Sequence, residues 1–278
     1  MSLPLDGIRV LDLSRLLPGG YCSLLLADYG ADVLKVEDTG LGDYIRWAPP
    51  RYDGVEPSAA SALFLSLNRG KRSMRLNLKV REGQEVLRRL AREHDVLLES
   101  FRPGVLDRLG VGYERLREEN PALVYCAITG YGQEGPDRER PGHDLNYLAR
   151  GGLLGLSGER GGPPVPAAGQ IADLGGGALM AAFGILAALH ERDRSGEGQL
   201  VDVSMTRGAT IAIQLSAPSA METSTTWPSP VRSRWCSAVS TPTAAISPPP
   251  PRSAICPAAG MGGPPRSPLS PSRPPRAR

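Results

Sequence analysis

The stretch LDGIRVLDLSRLLPGGYCSLLLADYGADVLKVE, residues 5–37, decides the fold class. Its first apolar run, IRVLDL (8–13), is typical of a buried strand, and ADVLKVE (31–37) is typical of a second one. Between them, GGYCSLLLADYG (19–30) has the apolar spacing of a helix and ends at a glycine, a common helix stop. The stretch therefore predicts a strand, a helix and a second strand in succession.

The same alternation of strands and helices continues to about residue 216. Repeated β-α-β units indicate an α/β fold with an open, mostly parallel, Rossmann-like sheet and helices on both faces. Ligands bind such sheets at the carboxyl ends of the strands. The further predicted elements are a helix at REGQEVLRRLAREH (81–94), a strand at DVLLES (95–100), a strand at ALVYCAITGYG (122–132), a long helix at DLGGGALMAAFGILAALHERD (173–193) and a strand at GQLVDVSM (198–205).

The composition limits the class of protein. With 278 residues, 41% of them hydrophobic, the chain is long enough for one large or two ordinary domains. Its most apolar segments, such as ALMAAFGILAALH, are shorter than the ~20 residues that cross a bilayer, and the N-terminus lacks a signal-peptide pattern. We therefore expect a soluble, cytoplasmic protein that binds no membrane. The four cysteines form no C-x-x-C pair, so neither a zinc site nor a disulfide framework is indicated.

The last 62 residues differ from the rest. Residues 217–278 hold fifteen of the 27 prolines, seven arginines, no lysine and one acidic residue. Residues 1–216 therefore carry 25 basic and 28 acidic residues, so the net charge of +3 comes from the tail and does not favour binding of nucleic acid. We predict one α/β domain at 1–216. The tail at 217–278 is either a disordered native segment or, as its tryptophans and cysteines lead us to favour, a shifted reading frame.

Two short motifs raise the question of catalysis. His143 lies in PGHDLNYLARGG, and Asp173 lies thirty residues later in ADLGGG, at the start of the predicted long helix. The free N–H groups and positive dipole end of that helix suit an oxyanion, and Gly175, Gly176 and Gly177 would let a substrate approach the backbone closely. On spacing alone, the more common explanation is that His143 begins a helix and that Asp173 caps one.

The residues from about 4 to 209 resemble CoA-transferase family III, also called the CaiB/BaiF group. The resemblance rests on the opening stretch and, in the family's order, on LNRGKRSMRLNLK, ESFRPGVLDRLGVGYERL, AITGYGQEGPDRERPGHDLNYLARGG, DLGGG and ERDRSGEGQLVDVSM. The Gly-His-Asp sequence around His143 is similar to the racemase branch of the family, whereas transferase members usually carry another residue at that position. Asp173 lies where both branches place a catalytic aspartate.

The resemblance implies an isomerase that epimerises 2-methylacyl-CoA thioesters through an enolate. His143 and Asp173 would exchange the roles of base and acid across the planar enolate, whose oxygen would face the start of the glycine-rich helix. The alternative is a CoA-transferase that moves CoA between carboxylic acids with Asp173 as the nucleophile. A third possibility is an inactive remnant or a basic-tailed binding protein, because the family's smaller second domain has no counterpart in this sequence.

The resemblance also implies a ligand and an assembly. Arg102 would contact CoA, and Lys35, Arg69 and Lys71 occupy matching positions. Since CoA is part of the substrate, no separate cofactor is expected, and the absence of GxGxxG and P-loop motifs disfavours a nicotinamide or nucleoside-triphosphate enzyme. Family members form intertwined homodimers, so a chain that lacks the second domain is expected to be unstable or inactive.

His94 and His190 are predicted to be surface residues, because their surroundings are helical and rich in charge.

Overall fold

Six parallel strands form one sheet in the computed structural model, which describes residues 2–159 and 162–216. The strands are β1 (Arg9–Asp12), β2 (Asp32–Glu37), β3 (Arg72–Arg75), β4 (Val96–Glu99), β5 (Val124–Thr129) and β6 (Leu200–Ser204). Their order in the sheet is β3-β2-β1-β4-β5-β6, and every neighbouring pair is parallel. The predicted parallel α/β sheet is therefore confirmed. The predicted tail at 217–278 lies outside the described residues.

Helices connect the strands. They are α1 (Leu16–Asp28), α2 (Ala62–Asn68), α3 (Arg81–Arg92), α4 (Val105–Arg108), α5 (Tyr113–Glu119), α6 (Asp144–Arg150), a π-helix (Ile171–Leu179) that continues into α7 (Met180–Ser195), and α8 (Met205–Ser216). Short 3-10 turns lie at Tyr44–Trp47, Pro57–Ala59 and Leu154–Leu156. The helices predicted at 19–30, 81–94 and 173–193 correspond to α1, α3 and the long helix that ends with α7.

The central strands are buried on both faces. Successive residues contribute to different clusters: Val10 packs in the cluster that contains α1 and α7 residues, whereas Leu11 packs in the cluster that contains α3 and α5 residues. Leu98 and Leu97 of β4 divide in the same way. Because both faces of these strands are covered, their sequences are almost continuously apolar. The sequence pattern identified them for that reason.

The edge strand β3 has a different composition. Its sequence is RSMR, and three of its four residues are exposed. With one apolar residue among the four, the strand has no apolar run, and the sequence analysis predicted no strand at this position. Pairing with β2 through the register Leu34↔Arg72 to Glu37↔Arg75 forms the strand despite this composition.

The helical stretch from Ile171 to Ser195 is longer than the sequence suggested. Its 25 residues are long and apolar enough to cross a membrane by length and composition, so the expectation that its apolar segment is too short was wrong. Core helices of soluble proteins meet the same criterion. Half of its most apolar window is buried inside the protein, and α7 packs on α1, β5 and β6.

The strand order places a crevice at the middle of the sheet. Chain connections leave β1 toward β2 and β3 on one side and return to β4, β5 and β6 on the other. In sheets of this order, the loops after the two central strands diverge and leave space between them for a ligand. The loops that follow β1 and β4 therefore decide the shape of the site.

Candidate active site

A cavity of about 550 Å³ opens at the carboxyl ends of β1, β4 and β5. The loop after β1 contributes Arg15 and the loop after β4 contributes Arg102, while His143 and Asp173 come from the segments after β5. Arg102, His143 and Asp173, which the sequence analysis singled out, thus lie at the carboxyl ends of the strands. His143 and Asp173 line the same cavity although thirty residues separate them in the chain.

His143 is held by its backbone while its side chain stays exposed. It is the N-cap residue of α6, with extended backbone angles, and its N–H donates to Asn146 Oδ1 at 2.9 Å. The preceding Gly142 is fixed by Tyr147, whose hydroxyl donates to the Gly142 carbonyl at 2.6 Å. A Cβ at Gly142 would lie 2.6 Å from the ring of Tyr147, so this close approach needs glycine. His143 is thus both a helix-start residue and a cavity residue.

Asp173 is a half-buried carboxyl in the first turn of the π-helix. Burial raises its pKa to about 6, the negative charge of Asp144 acts in the same direction, and His143 opposes them. The backbone N–H of Asp173 donates to Asp144 Oδ1 at 2.8 Å. A carboxyl that titrates near pH 6 exchanges its proton near neutral pH at little cost, which suits a general acid or base.

Asp144 is a buried residue of the site that the sequence analysis did not single out. It is the first residue of α6 and directly follows His143. Its position in the same Gly-His-Asp motif was the available signal. Because it touches Asp173 through the backbone and through charge, it links the two candidate catalytic residues.

The three glycines after Asp173 do not line the cavity. Gly176 and Gly177 are buried at helix contacts instead: a Cβ at Gly176 would lie 2.5 Å from the Met205 carbonyl oxygen, and one at Gly177 would lie 3.1 Å from Pro18. Gly175 has open space around its Cβ position. The expected oxyanion role is therefore replaced, for Gly176 and Gly177, by close packing of the π-helix on α8 and α1.

Lys35 and Lys71 are buried ion-pair residues, and this placement corrects the expectation that they contact CoA. Both side chains are only 1% exposed. Lys35 Nζ donates to the Ser14 carbonyl at 3.0 Å and lies 3.2 Å from Asp43 Oδ2. Lys71 Nζ donates to Ser23 Oγ at 2.7 Å. With its amino group enclosed, neither lysine is free to bind a phosphate in this structure.

Arg69 and Arg102 lie at opposite ends of the strands. Arg69 precedes β3 and pairs with Asp28, the last residue of α1, at 2.5 Å. This position is at the amino ends of the strands, away from the cavity. Arg102 follows β4 and lines the cavity, with no ion pair to any residue among 2–159 and 162–216. Of the four basic residues expected to contact CoA, only Arg102 therefore lies in the cavity.

The two other histidines lie outside the cavity. His190 is exposed, as predicted. His94 is buried, with Nδ1 at 2.6 Å from the Leu90 carbonyl oxygen, so the surface prediction for it was wrong. Burial lowers the pKa of His94. His94 lies just beyond Glu93, the C-cap residue of α3, and its charged neighbours in sequence do not keep it in solvent.

A second cavity of about 280 Å³ adjoins the first, and the sequence analysis did not predict it. It lies over the carboxyl ends of β1, β2 and β3. Arg15 and Phe101 line both cavities, and Lys79 and Arg108 add further positive charge to the second. The arginine at position 15 was not predicted either, because a single basic residue in a loop has no distinctive pattern.

Comparison with known proteins identifies relatives of the chain. The profile of CoA-transferase family III matches residues 5–243. A succinyl-CoA:mesaconate CoA-transferase from Haloarcula marismortui is 45% identical over 205 residues, which is 72% of this chain and 51% of that protein. The alpha-methylacyl-CoA racemase of Homo sapiens is 43% identical over 206 residues, which is 74% of this chain and 49% of that protein. The chain thus spans about half the length of these relatives.

A solved structure gives the same picture. The crystal structure of a CaiB/BaiF family protein from Brucella suis superposes with a TM-score of 0.73 at 39% sequence identity, and the match covers 84% of this chain and 60% of that one. Transferases and racemases both occur among the relatives at similar identity. Sequence similarity alone therefore does not choose between the two reactions.

Proposed function

The chain belongs to CoA-transferase family III, and we propose that it binds an acyl-CoA and moves the proton on the carbon next to the thioester carbonyl. The product would be the opposite epimer of a 2-methylacyl-CoA. The observation that best supports proton transfer is that His143 and Asp173 line one cavity while the pKa of Asp173 is about 6. A raised pKa suits a carboxyl that must take up and release a proton near neutral pH.

The proposed reaction needs only these two side chains as proton carriers. In one direction Asp173 takes the α-proton as a carboxylate, and the electron pair of the broken C–H bond moves into a planar enolate. The protonated imidazole of His143 then delivers a proton to the opposite face of that carbon. In the other direction the roles are reversed. Each forward turnover leaves Asp173 protonated and His143 neutral, which is the state that the reverse reaction needs. Asp144 would favour the protonated form of Asp173 through its negative charge.

The two adjoining cavities suggest how the long CoA molecule would lie. We place the acyl thioester in the larger cavity beside His143 and Asp173, and the nucleotide half in the smaller one. Arg15, which lines both cavities, and Arg108, in the smaller one, offer guanidinium groups to the phosphates. Arg102 offers another beside the thioester end. No described residue group in the ranges 2–159 and 162–216 has the composition to hold a metal ion.

A CoA-transferase is the second candidate, because the larger cavity is rich in positive charge. Arg102, Arg138 and Arg140 line it, and such a lining suits an acyl group that carries a second carboxylate. In this reaction Asp173 would attack the thioester carbonyl, CoA thiolate would leave, and a mixed anhydride would form on the aspartate. The thiolate would then attack the aspartyl carbonyl of the anhydride, which releases the first carboxylate and leaves a CoA thioester on Asp173. An incoming carboxylate would attack this thioester and expel the thiolate, forming a second anhydride. Attack of the thiolate on the new acyl carbonyl would give the new CoA ester and free Asp173.

The homodimer implied by the family is a proposal too. Leu179, Phe183 and Leu186 lie on one side of the long helix at spacings of four and three residues, and all three are exposed, Phe183 by 65%. An exposed apolar row of this kind is typical of an interface.

The inactive remnant remains the third candidate, and it predicts neither proton exchange nor acyl transfer.

Proton exchange in heavy water tests the first proposal. We would incubate the 278-residue chain with a 2-methylacyl-CoA in deuterium oxide and follow loss of the α-proton signal by NMR. The proposal predicts exchange in the unchanged chain, in contrast to the inactivity expected from the sequence for a chain without the second domain, and a loss of about 100-fold or more in His143→Ala and in Asp173→Asn. His190→Ala is the matched control, because it removes an exposed histidine outside the cavity.

The same proteins separate the candidates. A hydroxylamine-trapped acyl group on Asp173, together with unchanged activity in His143→Ala, would support the transferase and overturn the racemase. A chain that binds CoA but shows neither α-proton exchange nor acyl transfer would contradict both reactions and leave the remnant.

A further inference from the structure

Three successive backbone N–H groups of the loop between β1 and α1 are taken by side chains of the protein itself. The bonds are Ser14 N–H to Asp12 Oδ1 at 2.9 Å, Arg15 N–H to Ser100 Oγ at 3.0 Å and Leu16 N–H to Asp43 Oδ1 at 3.4 Å. In parallel α/β sheets, the N–H groups at this loop and at the start of its helix commonly bind a phosphate. Here the Asp43 carboxylate occupies the start of α1 in place of such an anion.

The charge of Asp43 is held in place by a buried lysine. Asp43 is 2% exposed, and its Oδ2 lies 3.2 Å from Lys35 Nζ. The same ammonium group donates to the Ser14 carbonyl at 3.0 Å, so Lys35 ties Asp43 to the loop from a second direction. Asp12 and Lys71 complete the cluster, which therefore contains two acids and two lysines. A buried charge without such partners would be strongly unfavourable.

The loop that this cluster holds is in a strained conformation. Leu16 has φ of 61°, and it is the only non-glycine residue with a positive φ in the described part of the chain. Such a conformation persists only where the surroundings fix it. Arg15, the N-cap residue of α1, makes no side-chain cap of its own, so the bond from Leu16 to Asp43 supplies one from outside the helix.

The strained loop decides where the Arg15 side chain lies. Its guanidinium is 5.8 Å from the centre of the Phe101 ring, and its Nη2 donates to Asp38 Oδ2 at 2.9 Å. Arg15 lines both cavities from this position. A change of backbone direction at Leu16 would move the one arginine that the two cavities share.

We propose that Asp43, held by Lys35, is a positioning residue for acyl-CoA binding: it caps α1 at Leu16 and so keeps Arg15 between the two cavities. The proposal rests on the proposed function, because it assumes that CoA spans both cavities. It also explains the absence of a glycine-rich phosphate motif, since the N–H groups that such a motif would present are already used and arginine side chains must bind the phosphates instead.

Amide exchange and CoA titration together test this role. We would compare the 278-residue chain with Asp43→Ala, Asp43→Asn, Arg15→Ala and the double variant Arg15→Ala/Asp43→Ala, using free CoA as the ligand in calorimetry. Leu116→Val is the control for stability, because Leu116 is buried in α5 and lines neither cavity. Hydrogen exchange followed by mass spectrometry reports on the amides of residues 14–16.

In Asp43→Ala we expect exchange at residues 14–16 to become about tenfold faster and CoA affinity to fall about tenfold, as for loss of a helix cap. Asp43→Asn retains a side-chain oxygen as an acceptor, so its exchange rate and CoA affinity should lie between those of the unchanged chain and of Asp43→Ala. If Asp43 acts through Arg15, the affinity loss in the double variant will match that of Arg15→Ala alone rather than the product of both. Leu116→Val should leave both readouts unchanged.

The outcomes separate this inference from the proposed function. If the unchanged chain does not bind CoA, the proposed function fails and the positioning role fails with it. If the unchanged chain binds CoA and Asp43→Ala binds equally well, only the positioning role is overturned. Independent, multiplicative losses in the double variant would also overturn it, because they would show that Asp43 does not act through Arg15.

Discussion

Replacing Asp144 by asparagine should make Asp173 a stronger acid. The pKa of Asp173 is raised from 3.8 to about 6, with burial as the largest cause and the charge of Asp144 as the next. Asp144→Asn removes that charge but keeps an oxygen that can accept the Asp173 N–H, now bonded at 2.8 Å. Since burial is the larger contribution and remains, we expect the pKa of Asp173 to fall by at most about 1 pH unit, and by less if solvent screens the pair.

A carboxyl-carbon NMR titration of the chain labelled with ¹³C-aspartate measures this change, with Asp173→Asn assigning the resonance. The matched control is Asp137→Asn, which removes a carboxylate that instead binds Arg140 and Arg150. At pH 6 about half of Asp173 should be protonated in the unchanged chain and clearly less in Asp144→Asn. An unchanged or raised pKa in Asp144→Asn would refute the assignment of Asp144 as a cause.

The remaining predictions concern stability. Gly176→Ala should destabilise the protein by about 2 kcal/mol, because its Cβ would lie 2.5 Å from a backbone oxygen, whereas Gly175→Ala has open space and should be neutral or slightly stabilising; urea unfolding compares the two, and equal effects would contradict the packing role. Burial raises the pKa of Glu99 to about 8, so the unchanged chain should lose stability as pH rises from about 4.5 to 8, and Glu99→Gln should remove a few kcal/mol of that loss; parallel stability curves for the two proteins would disprove this. Because the folded pKa of Asp173 is also raised, Asp173→Asn should stabilise the protein above pH 6 by about 1 kcal/mol after discounting for solvent exposure, and by nothing below pH 4; chemical denaturation at pH 4 and 7.5 measures both values.

The elements that the sequence revealed are those whose burial has a local signature. The runs at 8–13, 31–37, 95–100 and 122–132 became β1, β2, β4 and β5 because strands covered on both faces must be apolar throughout. The parallel order then brings their carboxyl ends together, and the segments that carry His143 and Asp173 lie there. The pairing of these two residues was expected from the family resemblance. The edge strand β3 has no such requirement, so its sequence did not identify it.

The errors came from contacts between distant parts of the chain. From sequence alone, charged residues such as Lys35 and Lys71 are expected in solvent or in contact with a ligand. Asp12, which pairs with both, is 23 positions from Lys35 and 59 from Lys71, and the turn after β2 brings Asp43 to Lys35. Only the folded structure shows these ion pairs. The glycines after Asp173 were expected to let a substrate approach. Gly176 and Gly177 instead leave room for close packing against α8 and α1.

The exposed, charged residues of β3 bear on whether two molecules can associate through this edge of the sheet. A sheet edge offers unpaired N–H and C=O groups on which a strand from another molecule could grow. At this edge, the strand is four residues long and carries Arg72 and Arg75, both exposed, with Arg72 paired to Asp32 at 2.5 Å. A short strand with exposed arginines disfavours pairing with the same strand of a second molecule, and this composition is typical of sheet edges that resist edge-to-edge aggregation.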